Sequence, residues 1–116
     1  MITMVIKGHP TIGNLQAPFE ASIVTHGTWV QYSRFLDTAI KFLGKEKSPE
    51  DIFKADVDKL KAYLLQKLQY PEARMNSVIS AMSSYYRWMI DMGFVYTNPF
   101  EKMRGPLRKD VQVIFE

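Results

Sequence analysis

The stretch between Pro71 and Gly93 constrains the fold of this chain most. Its apolar residues Met75, Val78, Ile79, Met82, Tyr85, Tyr86 and Met89 recur at spacings of three and four. That period lines one face of an α-helix. Pro71 suits the first turn of such a helix because it has no N–H to satisfy there. Gly93 can take the left-handed backbone that closes one. The spacing predicts a helix over about 72–92.

Two more helices are legible upstream. Trp29, Tyr32, Phe35, Leu36, Ala39, Ile40 and Leu43 form one stripe, with Thr28 as an N-cap and Gly44 just past the end, which predicts a helix over about 28–43. Gln31, Arg34 and Lys41 point away from that stripe. After a turn at 45–49, Ser48-Pro49 starts a short helical piece, and Asp56 caps a helix to about Leu68. Its apolar stripe is Val57, Leu60, Tyr63, Leu64 and Leu68, with Lys59, Lys61, Gln66 and Lys67 outside. Asn98-Pro99 starts a last short helix at about 99–103. Residues 1–27 carry no helical period, and they read as an extended arm in which MITMVI alternates like a strand. The tail VQVIFE is also strand-like. The expected architecture is an all-α bundle of four helices, with an arm at 1–27, a helical domain at 28–109 and a linker at 110–116.

At 116 residues and 47% hydrophobic, the chain fits one domain with one core. Absence of cysteine excludes a disulfide framework, thiolate metal sites and thiol nucleophiles. No apolar run is long enough to span a bilayer, and MITMVIKGHP lacks the features of a signal peptide, so the chain reads as intracellular. His9 and His26 have no second ligand at metal spacing, no glycine-rich phosphate loop is present, and the serines have no His/Asp arrangement around them. Glu50, Asp51, Asp56 and Asp58 gather at helix starts, where the helix dipole accounts for them. No catalytic set, metal or cofactor is expected.

The net charge of +3 and pI of about 9.2 permit an anionic partner without demanding one. Lys41, Lys45 and Lys47 cluster near the end of the first helix, and Lys102, Arg104, Arg108 and Lys109 fall together with no acid among them. Either cluster could simply be a solvated face. The outer face of the third helix is less ordinary. It carries Arg74, Asn76, Ser77, Ser80, Ser83, Ser84 and Arg87 instead of a Glu/Lys mixture. Small hydroxyls let a helix approach closely, and Asn and Arg can bond phosphates and base edges. Close packing of Ser80 and Ser84 against another helix is the alternative.

From Met75 the string MNSVISAMSSYYRWMIDMGFVYTNPFEKMRGPLRK resembles the end of the core-binding domain of phage integrases and other tyrosine recombinases. The carriers are Asn76, Ser80-Ala81, Tyr85-Tyr86 with Trp88, Gly93, Asn98-Pro99 and the basic exit from Lys102 to Lys109. The upstream helices fit through Tyr32, Phe35, Leu36, Phe42 and Tyr63-Leu64. The resemblance covers about 28–109. It implies a four-helix, SAM-like bundle that forms half of a clamp around a DNA duplex. The other half would be a catalytic domain of the same polypeptide, and the parent protein would assemble as a tetramer on DNA in the cytoplasm, at the nucleoid. The family's His-x-x-Arg element is absent: Ile12 follows His9 by three and Trp29 follows His26 by three. The chain ends at Phe115-Glu116, about where that catalytic domain would begin, and 27 residues are too few for a separate arm-binding domain in front.

The resemblance therefore implies a non-catalytic DNA-binding domain. Its expected contact face is Arg74, Asn76, Ser77, Ser80, Ser84 and Arg87, with Gln31, Arg34 and Lys41 as a second strip. Lys102, Arg104, Arg108 and Lys109 are expected on phosphates near the hinge. The competing reading is a helical protein-interaction module that engages a partner through Trp88, Phe94 or Phe100.

Overall fold

The computed structural model describes residues 10–22 and 26–101, and of 26–29 the backbone alone. Among the described residues the chain is all-helical, with α1 at Gln16–Ser22, α2 at His26–Leu43, α3 at Lys54–Ala62 and α4 at Glu72–Asp91. Pro49–Asp51 forms a 3₁₀ turn and Tyr63–Lys67 a π-helical turn. The all-α class is as expected, but the set of helices differs at both ends.

The segment expected to be an extended arm contains α1. Ile12, Leu15 and Phe19 stand three and four apart and are buried in the common core. That period is too short to read against the Gly and Pro around it, yet Pro18 falls in the first turn of α1, where its missing N–H costs nothing. Backbone bonds dock the entry to α1 on the loop after α2, from Ile12 N–H to Lys47 O (2.9 Å) and from Gly13 N–H to Lys45 O (3.0 Å). Gln16 ties α1 to α2 through Asp37 at 2.6 Å. The strand expected at MITMVI lies outside the described residues.

Helix α2 begins at His26, so Thr28 lies inside its first turn and is not the cap, and His26 is helical backbone, not loop. Its end is as expected, with Gly44 at φ +107° and its N–H on Ile40 O at 2.8 Å. Ser48 makes no side-chain cap bond. Phe53 holds the N-cap of α3, and Asp56 sits at the third helical position, where its carboxylate accepts the Phe53 N–H at 2.9 Å. A carboxylate reaching back from that position satisfies one of the four donors that a helix start leaves over.

Lys61, expected outside, is buried, as is Asp58 three residues before it. Packing covers α3 over a wider arc than its aliphatic stripe marks. Beyond Ala62 the hydrogen bonds lengthen by one residue, Leu68 N–H reaching Tyr63 O at 3.1 Å, and Tyr70 N–H closes on Leu64 O at 2.9 Å. Between them Gln69 takes φ +56°, a left-handed position usually given to glycine.

Helix α4 is the central element. Met75, Val78, Ile79, Met82, Tyr85, Tyr86 and Met89 are all buried, and they meet Leu36, Ala39 and Ile40 of α2 and Val57, Leu60 and Leu64 of the α3 arm. Of the residues expected inside, Trp29 has a side chain outside the described set; Leu36, Leu64, Val78, Met82 and Tyr86 are buried. The helix closes at Gly93, φ +82°, with Phe94 N–H on Met89 O at 2.8 Å and the Phe94 ring 6.0 Å from that of Trp88. That pairing is the hydrophobic contact that commonly accompanies such a stop.

Two buried tyrosines hold the connecting segments on α4. Tyr85 donates its hydroxyl to Ile12 O, and Tyr86 donates to Pro49 O at 2.6 Å. The short helix expected at 99–103 is, over its described part, a turn in which Asn98 Oδ1 accepts the Phe100 N–H (3.0 Å) and Asn98 O the Glu101 N–H (3.3 Å). Asn98 Nδ2 reaches back to Ser83 O and Oγ, both at 3.1 Å. Asn98 thus spends its amide on α4 and seats Phe100 beside Tyr86. Residues 102–116, including the strand-like tail and linker, lie outside the described residues.

Candidate functional site

Helices α2 and α4 run against each other, and their outward edges leave a groove. Gln31, Arg34 and Phe35 of α2 face Ala73, Arg74 and Ser77 of α4 across an open recess of about 430 Å³. A second recess of about 340 Å³ continues it, between Gln31, Tyr32 and Phe35 on one side and Asn76, Ser77 and Ser80 on the other. Gln31, Phe35 and Ser77 line both, so the two are one groove. Six residues singled out in the sequence meet here: Gln31 and Arg34 from one strip, Arg74, Asn76, Ser77 and Ser80 from the other. Their spacing on separate helices could not show that they converge.

The groove is chemically graded. One end holds two guanidinium groups, Arg34 and Arg74, both exposed and neither ion-paired with the described residues. The other end has no cation among the described residues of its lining; it offers amides and hydroxyls over the Tyr32 and Phe35 rings. Arg74 lies over the Tyr70 ring, its guanidinium carbon 4.6 Å from the ring centre. Ser77 Oγ donates to Ala73 O at 3.1 Å, a bond inside the helix that uses its proton and leaves its acceptor capacity unspent.

Other expected contact residues fall elsewhere. Ser84 is half-buried with its hydroxyl 3.5 Å from that of Tyr32, and so serves the packing of α2 on α4. Ser83, which shares that face in the sequence, is buried under Asn98. Arg87 is exposed on α4 and Lys41 on α2, but neither lines the groove. Lys47, in the loop after α2, turns toward Asp56 in the first turn of α3 at 3.8 Å. Lys102, Arg104, Arg108 and Lys109 lie outside the described residues.

Sequence reasoning missed Tyr70 and Ala73. Tyr70 stands four residues before Arg74, the spacing of partners on one helix, but it precedes Pro71 and so lies outside the helix that the pattern marked.

The aromatic residues named for a protein partner are used internally. Trp88 packs on Phe19, Tyr85 and Phe94, and Phe100 is 1% exposed. Among the described residues the exposed aromatics are instead Phe53 and Tyr96, at 62% and 96%, which line a recess of about 230 Å³ with Pro49, Glu50, Ile52, Val95 and Thr97.

Tyr85 and Tyr86 are poor candidates for any chemistry of their own. Burial first, and then their mutual proximity for Tyr85 and the Asp56 carboxylate for Tyr86, push both hydroxyls far above the ordinary tyrosine range. Both protons are committed to carbonyl oxygens. Among the described residues no group of three metal-ligating side chains occurs, and no helix is long and apolar enough to cross a membrane.

An all-helical unit with a cationic groove between two helices is the class that fold and site define. Set against family models, curated proteins and solved structures, the chain matches none of them.

Proposed function

We propose that this chain is a non-catalytic, DNA-binding domain of a site-specific tyrosine recombinase of the phage integrase type, a SAM-like helical unit that grips the core recombination site. The observation that carries the reading is the convergence of Gln31 and Arg34 with Arg74, Asn76, Ser77 and Ser80 on one groove. Two cations with no carboxylate partner among the described residues, beside amides and small hydroxyls, are chemistry that suits a polyanion surface. Arg87 extends the surface along α4 and Lys41 along α2. The resemblance supplies the rest: a catalytic domain of the same polypeptide as the second half of the clamp, a tetramer on DNA, and a place at the nucleoid.

The test is a titration of the ¹⁵N-labelled chain with a DNA duplex at low salt. Amide resonances of 31–34 and 74–80 should move together and return as salt is added, because phosphate contacts release counterions. Shifts confined to residues 49–53 and 95–97 would sink the proposal. They would favour the second reading, a protein-interaction module, for which the exposed Phe53 and Tyr96 around their recess are the supporting observation.

A further inference from the structure

The two ends of the α2–α4 groove differ in a way that divides their work. Arg34 and Arg74 approach one recess from opposite helices, so a single acceptor group between them can be bonded from two sides. A tetrahedral phosphate oxygen set suits that arrangement; a flat base edge is better read by one side chain lying in its plane. Arg74 is also less free than an exposed arginine usually is. Its guanidinium lies over the Tyr70 ring, and a stacked guanidinium keeps its plane of N–H donors pointing past the ring edge.

Tyr70 is itself fixed. Its backbone N–H closes the π turn on Leu64 O, its ring packs partly against the core, and the left-handed Gln69 before it turns the chain so that the ring lies under Arg74. A non-glycine residue in that backbone region is disfavoured and is held there by its surroundings.

We infer that the Arg34/Arg74 end of the groove seats one phosphodiester of a duplex backbone, and that Tyr70 is the positioning residue that aims Arg74 at it. This rests on the DNA-binding reading and sharpens it: the cationic end fixes the domain on the backbone and reads no sequence. Any sequence preference of the groove belongs to its neutral end, at Gln31, Asn76 and Ser80.

The test measures binding of the full chain to two labelled duplexes of unrelated sequence across a salt series. Arg74→Gln should weaken binding to both duplexes alike, by about tenfold at low salt, and flatten the plot of log affinity against log salt by about 0.9, one phosphate contact. Arg34→Gln should do the same, and the double variant should flatten the slope by no more than about 0.9 in all, because both arginines meet one phosphate. Tyr70→Phe, which keeps the ring, should bind as the unaltered chain does. Tyr70→Leu should weaken both duplexes by several-fold and flatten the slope, with its amide spectrum unchanged outside 68–78. An unchanged slope for Arg74→Gln, or a loss on one duplex only, overturns the phosphate seat.

Tyr70→Leu binding like the unaltered chain overturns the role of Tyr70. Should Tyr70→Leu not fold, the Arg74 Nε–H resonance of the unaltered chain decides. A ring-current shift that changes on adding duplex supports the stacking, and a resonance at the usual position overturns it. No binding by the unaltered chain to either duplex sinks the DNA-binding reading itself, an outcome distinct from these.

Discussion

Tyr85 and Tyr86 sit side by side on α4 and hold two connecting segments that themselves lie together, one bonded to the entry of α1 and the other to the loop before α3. Removing one hydroxyl leaves a buried carbonyl short of a partner, so Tyr85→Phe should lower stability by about 1–2 kcal/mol in a denaturant titration. Their protonation adds a pH dependence whose sign is fixed. Both pKa values are raised in the folded chain, so above the unfolded-state value of about 10 the unfolded chain loses protons that the folded chain keeps. Stability is therefore whole below about pH 10 and falls above it, by up to about 1.4 kcal/mol per pH unit for each tyrosine. The urea midpoint followed from pH 8 upward should bend down near 10, and Tyr85→Phe should roughly halve the slope beyond the bend. A midpoint that stays flat up to pH 11.5 or so contradicts the buried, donating state of these hydroxyls.

At the scale of elements, the least expected piece is α1. Its seven residues are too few to hold a helix alone, so its stability comes from where it lands. Phe19 lies among Tyr32, Tyr85 and Trp88, with ring centres 5.1 to 6.5 Å away, and Gly13 lets the entry turn approach the loop after α2 closely enough for backbone bonds. A Cβ at Gly13 would stand 2.9 Å from Lys45 O, a backbone atom that cannot swing aside. Gly13→Ala should consequently destabilise the chain by about 1–3 kcal/mol, as overpacking does. The loss should be read first as faster amide exchange over 12–22. Unaltered exchange there would mean that α1 does not depend on this docking.

Taken whole, the described residues offer the groove between α2 and α4, and the proposed reading expects it to bind DNA without cleaving it. The two buried tyrosines at the centre of α4 keep their protons, and among the described residues no histidine or lysine lines the groove beside its arginines. Cleavage of a phosphodiester by tyrosine needs cations gathered on the developing charge. Incubated with nicked or intact duplex and then denatured, the chain should therefore yield no protein–DNA adduct on a gel. A denaturant-resistant adduct would overturn the non-catalytic reading. Binding without cleavage should remain, weak and strongly salt-dependent, as expected of half a clamp.

Local rules written in the sequence determined most of the elements. The three- and four-residue period set α4 and α2 and much of the buried set, and Gly44 and Gly93 marked helix ends where the structure has them. Those features are decided by backbone conformation and by one element's own apolar face, which a linear pattern carries. What the tertiary structure decided depends on neighbours. Helix α1 exists because Ile12, Leu15 and Phe19 find a core contributed by other helices, and Lys61 is buried because packing wraps α3 beyond its apolar stripe. Ser84 became a contact to Tyr32, the helix packing that the sequence offered as the alternative to a DNA contact, and Ser83 an anchor for Asn98, which the row of small hydroxyls did not show. The groove belongs to the same class: Gln31 and Arg34 stand some forty residues from Arg74 and Ser77 in the chain, and only the packing of α2 on α4 makes them two walls of one site.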